Sequence, residues 1–212
     1  GPRTYGAFWR LPNRPVVEVT WYEAVAFCRW LQERLQITDC RLQVWREGEL
    51  ETLSLGPKTL RVRLPSEAEW EKAARGGKQI PSSKSQGPKW AENPDPGRVF
   101  PWGNEPDPNR ANYDDTGIGT TSAVGCFPGG AGPYGVEDLS GNVWEWCRTK
   151  WQESYEGYQD DNDLAGEVRR VFRGGAFGPV AGSVRCACRG GGSPGSRWDD
   201  LGFRVVASPV HL

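Results

Sequence analysis

Methionine is absent from this 212-residue chain, and histidine occurs once, as His211. A three-histidine zinc centre is therefore excluded, and a serine or cysteine triad would have to take its base from a fraying chain end. An excess of either charge is missing too: 26 basic against 27 acidic residues leave a formal net charge of −1. That balance removes the electrostatic reason to expect a nucleic acid or a membrane surface as partner. No apolar run approaches the roughly 20 residues that span a bilayer, so no membrane span is expected. Aliphatic residues are scarce, the hydrophobic fraction being 37%, but 11 tryptophans, 7 phenylalanines and 6 tyrosines can supply the missing burial. One domain over residues 1–212 is expected. The opening Gly1-Pro2, with no methionine anywhere, reads as a trimmed start, and further residues of the protein are expected upstream.

Two helix starts are written locally. Thr20-Trp21-Tyr22-Glu23 has the T-x-x-E form in which the threonine oxygen accepts from the first turn and the glutamate reaches back. Ala24, Phe27, Cys28, Leu31 and Leu35 follow at helical spacing and predict one buried stripe. Ser66-Glu67-Ala68-Glu69 repeats the device, with Trp70, Ala73 and Ala74 behind it and Gly76-Gly77 as a stop. Alternation in Arg41 to Trp45 and in Leu60 to Leu64 predicts two strands of one hairpin. Beyond Gly77, glycine, proline, asparagine and aspartate dominate, with short strands expected within Gly141 to Cys147 and Arg169 to Phe172. The polar stretch Lys78 to Gly97 reads as a mobile insertion. The expected fold class is α+β: two main helices, short antiparallel strands and much irregular loop.

Several blocks then stand in a telling order: Val19-Thr20-Trp21, Arg63-Leu64-Pro65-Ser66-Glu67-Ala68-Glu69-Trp70-Glu71, Phe100-Pro101-Trp102-Gly103-Asn104, Gly141-Asn142-Val143-Trp144-Glu145-Trp146, Arg173-Gly174-Gly175 and Gly202-Phe203-Arg204-Val205-Val206. From about Pro15 to Val206 the chain resembles the formylglycine-generating-enzyme/sulfatase-modifying-factor family. The resemblance implies a C-type-lectin-like fold. It also implies where an oxidase would hold copper, on a cysteine pair shortly after the Arg-Gly-Gly block. Here that stretch reads Ala176-Phe177-Gly178-Pro179-Val180-Ala181-Gly182-Ser183-Val184, without a cysteine. Cu(I) wants thiolates, so an oxidase loses its chemistry and a non-enzyme is expected.

The C-terminal part is similar to another branch of this fold, the variable proteins of diversity-generating retroelements, which display a diversified surface. Arg173-Gly174-Gly175-Ala176-Phe177, Val184-Arg185-Cys186-Ala187, Arg189, Pro194, Arg197 and Leu201-Gly202-Phe203 match its framework. Between them lie Gly178, Pro179, Val180, Cys188, Gly190, Gly191, Gly192, Ser193, Gly195, Ser196, Asp199 and Asp200, each reachable from an asparagine codon by changing adenines alone. Trp198 is not, and is fixed or derived from a lysine codon. Residues 178–200 are thus expected to be a variable ligand-binding region, with Phe177, Trp198 and the Asp199-Asp200 pair as its main sources of contact area and charge. The alternatives are a copper-dependent formylglycine-generating oxidase and an accessory recognition domain of a larger signalling or defence protein.

Other residues have plainer readings. Asn112, Asn142 and Glu145 offer hard oxygens, so calcium is an optional ion, although no cofactor is required. Cys186-Ala187-Cys188 is a weak metal signal, six cysteines permit fifteen pairings, and Cys28 reads as a small core residue. Trp102, Trp144 and Trp146 are expected as core plugs, and Arg173, Arg185, Arg189, Arg197 and Arg204 as braces for loops. The expected partner is a protein ligand, in a bacterial cytoplasm or at a cell or virion surface.

Overall fold

The computed structural model describes residues 13–35, 40–46, 49–55, 60–82 and 90–209. Helix α1 runs Trp21–Leu35 and α2 runs Glu67–Arg75. Both begin as their sequences dictate. The Glu23 amide donates to Thr20 Oγ1 (3.1 Å) while Glu23 Oε2 accepts from the Thr20 amide (2.9 Å), and Ser66 and Glu69 close the same reciprocal box on α2. Ala24 and Cys28 are buried, with Leu31 and Leu35 packed against the same core. Phe27 departs from the expected stripe. It lies at the stripe's edge, is 41% exposed, and meets Trp30 and Phe203 instead.

Among the described residues there are ten strands, in chain order β1 Cys40–Arg46, β2 Glu49–Leu55, β3 Leu60–Arg63, β4 Gln79–Pro81, β5 Trp90–Glu92, β6 Trp144–Lys150, β7 Arg170–Arg173, β8 Arg189–Gly192, β9 Leu201–Gly202 and β10 Val206–Pro209. The expected hairpin is corrected. β1 pairs with β2, and β3 pairs antiparallel with β10, some 140 residues later, as Arg63↔Val206 shows. The intervening β2 is the nearer partner for β1, and loop closure favours it. The stretch read as a mobile insertion carries the β4–β5 pair, with Asn93 buried just beyond it; residues 83–89 lie outside the described residues.

The central sheet has the order β8-β7-β6-β9. Its β6–β9 pair is parallel, a departure from the all-antiparallel expectation, because the chain crosses through residues 174–200 before returning beside Trp144. Side chains alternate across the sheet. Trp146 and Phe172, paired in register, face the α1 cluster with Trp21, Ala24 and Leu64, whereas Cys147 and Val171 face Trp70 and Ala74 of α2. The sheet is thus a layer between two helices. Of the three predicted aromatic plugs only Trp146 is fully enclosed; Trp144 is half-buried, and Trp102 is half-buried and stacked on Phe100.

Candidate functional site

Arginines brace the loops of the second half. Glu67, 2% exposed at the start of α2, accepts Arg189 Nε on Oε1 (2.6 Å) and Arg189 Nη2 on Oε2 (2.7 Å), and Arg173 Nη1 adds a third donor (2.7 Å). Tyr158 donates to the same carboxylate (3.1 Å). Burial pushes the Glu67 carboxyl up, but the hydrogen bond of Arg189 and the charges of Arg173 and Arg189 outweigh it and hold the group below the usual carboxylate range. The guanidinium of Arg189 also lies over the rings of Trp151 and Tyr155, 4.2 and 4.7 Å from their centroids. Arg173 reaches Glu71 and the Cys186 carbonyl, Arg204 grips Glu145 with two donors, Arg197 holds Glu23 and the Glu18 carbonyl, and Arg185 holds the Gly182 carbonyl. Each of the five arginines named from the sequence therefore braces a loop. Their buried hub, Glu67, was read only as part of a helix start; the arginine-rich second half was the signal for a buried acidic partner.

The 193–200 loop rests on α1 and β6 through its backbone. The Pro194 carbonyl accepts from the Trp21 amide (3.0 Å), the Trp198 carbonyl from Glu18 (3.0 Å), and the Asp200 carbonyl from Trp144 (2.8 Å). Trp198, 39% exposed, stands edge-on to Phe172 with centroids 5.3 Å apart. Ser193, Gly195 and Asp199 are exposed, and Ser196 and Asp200 half-buried. Burial, and next the Asp199 charge, raise the Asp200 carboxyl.

Gly190, Gly191 and Gly192 lie in β8, with Gly192 buried. A Cβ on Gly190 would collide with the Phe172 ring and one on Gly191 with Trp151; on Gly192 it would press on Trp146, Phe172 and Trp198 at 3.2–3.3 Å. Cys188, half-buried, precedes this strand, and burial raises its thiol. Phe177, Gly178, Pro179 and Val180 lie in the loop that follows β7. The Phe177 amide donates to the Asn142 carbonyl (3.1 Å) and the Asp114 amide to the Pro179 carbonyl (3.1 Å), with Gly178 and Val180 exposed and Phe177 and Pro179 half-buried. The structure therefore gathers residues 190–200 around Phe172 and Trp198 and places 177–180 against the 112–114 loop. Gly175, at φ 73°, allows this second loop: a Cβ there would approach the Ser183 carbonyl to 2.6 Å.

Of the three residues expected to offer oxygens to calcium, Asn112 and Asn142 lie together, Asn112 Nδ2 standing 3.5 Å from Asn142 Oδ1. Asn142 Oδ1 accepts from the Ser122 amide (2.9 Å), and Glu145 spends both oxygens on Arg204 and on Trp70 Nε1 (2.6 Å). Asn112 Oδ1 is buried without a hydrogen-bond partner. Cys28, Cys126, Cys147, Cys186 and Cys188 are free thiols. Burial pushes Cys186 up to about 12 and Cys147 well above the ordinary thiol range.

Two helices flanking a short-stranded sheet, with half the chain held as irregular loop by buried ion pairs, define a C-type-lectin-like domain of the formylglycine-generating-enzyme type. The chain belongs to the family of the sulfatase-modifying factor enzyme 1-like domain, whose model matches residues 3–209. It is 31% identical to the inactive C-alpha-formylglycine-generating enzyme 2 of Mus musculus, over 95% of this chain and 55% of that protein. With the formylglycine-generating enzyme of the same organism it shares 29% identity over 98% of this chain and 50% of that one. The chain thus spans about half the length of the curated relatives it matches. Among solved structures, Treponema denticola variable protein 1 superposes with a TM-score of 0.63 at 28% identity, covering 97% of this chain and 75% of that one. Among the described residues, no helix is long and apolar enough to cross a membrane.

Proposed function

We propose that this chain is a non-catalytic ligand-binding domain that uses a C-type-lectin-like scaffold to display residues 177–180 and 188–200 as a diversified recognition surface. The observation that carries the reading is the 193–200 loop: its backbone is tied to α1 and β6, while Ser193, Gly195, Trp198 and Asp199 stand exposed. Binding then costs little loop ordering, and at these exposed positions side chains can change without moving the chain path. A variable protein among its structural relatives and an inactive enzyme among its sequence relatives support the same reading. The ligand is a protein, for which the exposed Trp198 is the best anchor and Asp199 the orienting charge.

The test has two arms. DNA flanking the gene should hold a near-copy of the C-terminal coding segment beside a reverse transcriptase, differing only at adenines. A protein ligand captured by the chain should lose about 30-fold in affinity with Trp198→Ala, the ~2 kcal/mol of a central aromatic anchor, and less with Asp199→Ala. A captured ligand indifferent to both changes moves its site off this face, as the accessory-domain alternative requires.

Catalytic enzymes also stand among the relatives, so the copper oxidase is the rival. The thiol nearest the family's copper position is the enclosed Cys186, protonated at neutral pH, and no cysteine lies in residues 176–184. Cu(I) titration should show no tight binding dependent on Cys186 or Cys188. Oxygen uptake on a cysteine peptide would reverse this ranking.

A further inference from the structure

Opposite in chemistry to the glycine-rich loops is a cavity of about 260 Å³ between α1 and β3. Its walls include Val25, Val62 and Leu64 together with four arginines, Arg29, Arg61, Arg63 and Arg148, and no carboxylate residue is in the lining. Their charges are spent unequally. Arg63 is neutralised by a two-pronged bridge to Glu69, at 2.5 and 2.6 Å. Arg148 donates Nε and Nη2 only to the neutral Asn162 carbonyl (3.2 and 2.8 Å), and Arg29 and Arg61 make no ion pair among the described residues. Burial lowers the Arg148 guanidinium, and the like charges of Arg63 and Arg61 lower it further; Glu69 and Asp160 offset only part of that repulsion. A half-buried cation crowded by its own kind is a standing cost that an anion would remove.

We propose that this cavity binds a small phosphomonoester, its phosphoryl group held by Arg29, Arg61 and Arg148 and its apolar part laid against Val25, Val62 and Leu64. Guanidinium forks match phosphate oxygens two at a time, and three unspent positive charges exceed what a single carboxylate balances. The volume, just below the usual range for drug-sized ligands, admits a small molecule rather than a polymer. This site shares no residue with the 177–200 face, so the two readings stand or fall separately.

Isothermal titration of the intact chain with phenyl phosphate, inorganic phosphate and benzoate tests it. Phenyl phosphate is expected to bind in a salt-sensitive manner, and Arg29→Gln combined with Arg61→Gln, both on exposed side chains and so harmless to folding, should weaken it by about tenfold or more. Inorganic phosphate binding as tightly as the ester would assign the same arginines to the free ion. Absence of binding at millimolar ligand, undiminished binding in the double variant, or benzoate matching phenyl phosphate would overturn the assignment. Arg148→Gln gives a second check, since its loss should weaken binding even where Arg61 is retained.

Discussion

Glu67 shows how one residue ties a loop-rich half to a helix. Its carboxylate is the shared acceptor of Arg173 and Arg189, so removing the charge leaves two guanidinium groups enclosed without it. Glu67→Gln should cost about 3 kcal/mol or more, the loss expected for breaking a buried pair, read as a lowered urea midpoint with unchanged slope. The pH dependence has a definite sign. Because the folded carboxyl lies below its ordinary value of 4.5, its contribution is complete above that pH and is lost as pH falls through the folded value. Acid titration of stability in the Gln variant should therefore be flatter in that window than in the parent; a parallel decline would remove Glu67 from its place as hub. The sequence offers the arginines as loop braces but does not name the carboxylate they share. The capping box at Ser66 identified the helix start, but nothing local says that the residue after the cap meets arginines more than 100 positions later.

The same division between local and distant information runs through the elements. Both helices were readable because their caps and stripes lie within a few residues, and the C-terminal stop at Gly76 follows from its left-handed φ of 79°. The β3–β10 pairing was not readable, since alternation marks a strand without naming its partner. Strand β8 was missed for a related reason: Arg189-Gly190-Gly191-Gly192 looks like a turn-forming loop, yet the missing side chains are what let the strand lie under Phe172, Trp151 and Trp198. The glycines of the candidate face thus fall into two kinds. Gly178 and Gly195 have open space where a Cβ would be, so Gly195→Ala should change stability by no more than about 0.5 kcal/mol. Gly190→Leu must displace the Phe172 ring and should cost about 1–3 kcal/mol, an overpacking penalty, in the same denaturation experiment. Equal tolerance at both positions would mean that the rings over β8 re-pack freely, and that the whole segment, not only its open positions, can carry new side chains.

At the scale of the whole molecule, the candidate face works only if it is part of the rigid body. Its place between the framework residues marks it out in the sequence, but its glycine and serine content says nothing of its stiffness. Stiffness comes from where its carbonyls go: to the Trp21 amide opening α1, to the Glu18 amide preceding it, and to the Trp144 amide opening β6. These three donors come from parts of the chain that also build the core around Trp21 and Trp146, so releasing the loop would leave buried or half-buried amides unpaired at a cost of about 1–3 kcal/mol each. The loop should therefore open only with much of the domain. Native-state hydrogen exchange reads this directly: the amides of Glu18, Trp21 and Trp144 are expected to exchange at rates close to those of the β6–β7 ladder, with protection falling together under mild denaturant. If those three exchanged rapidly while the ladder stayed protected, the loop would be a separate, mobile unit. Recognition through Trp198 would then have to include the entropy of ordering it, and the low-cost display of changing side chains would lose its physical basis.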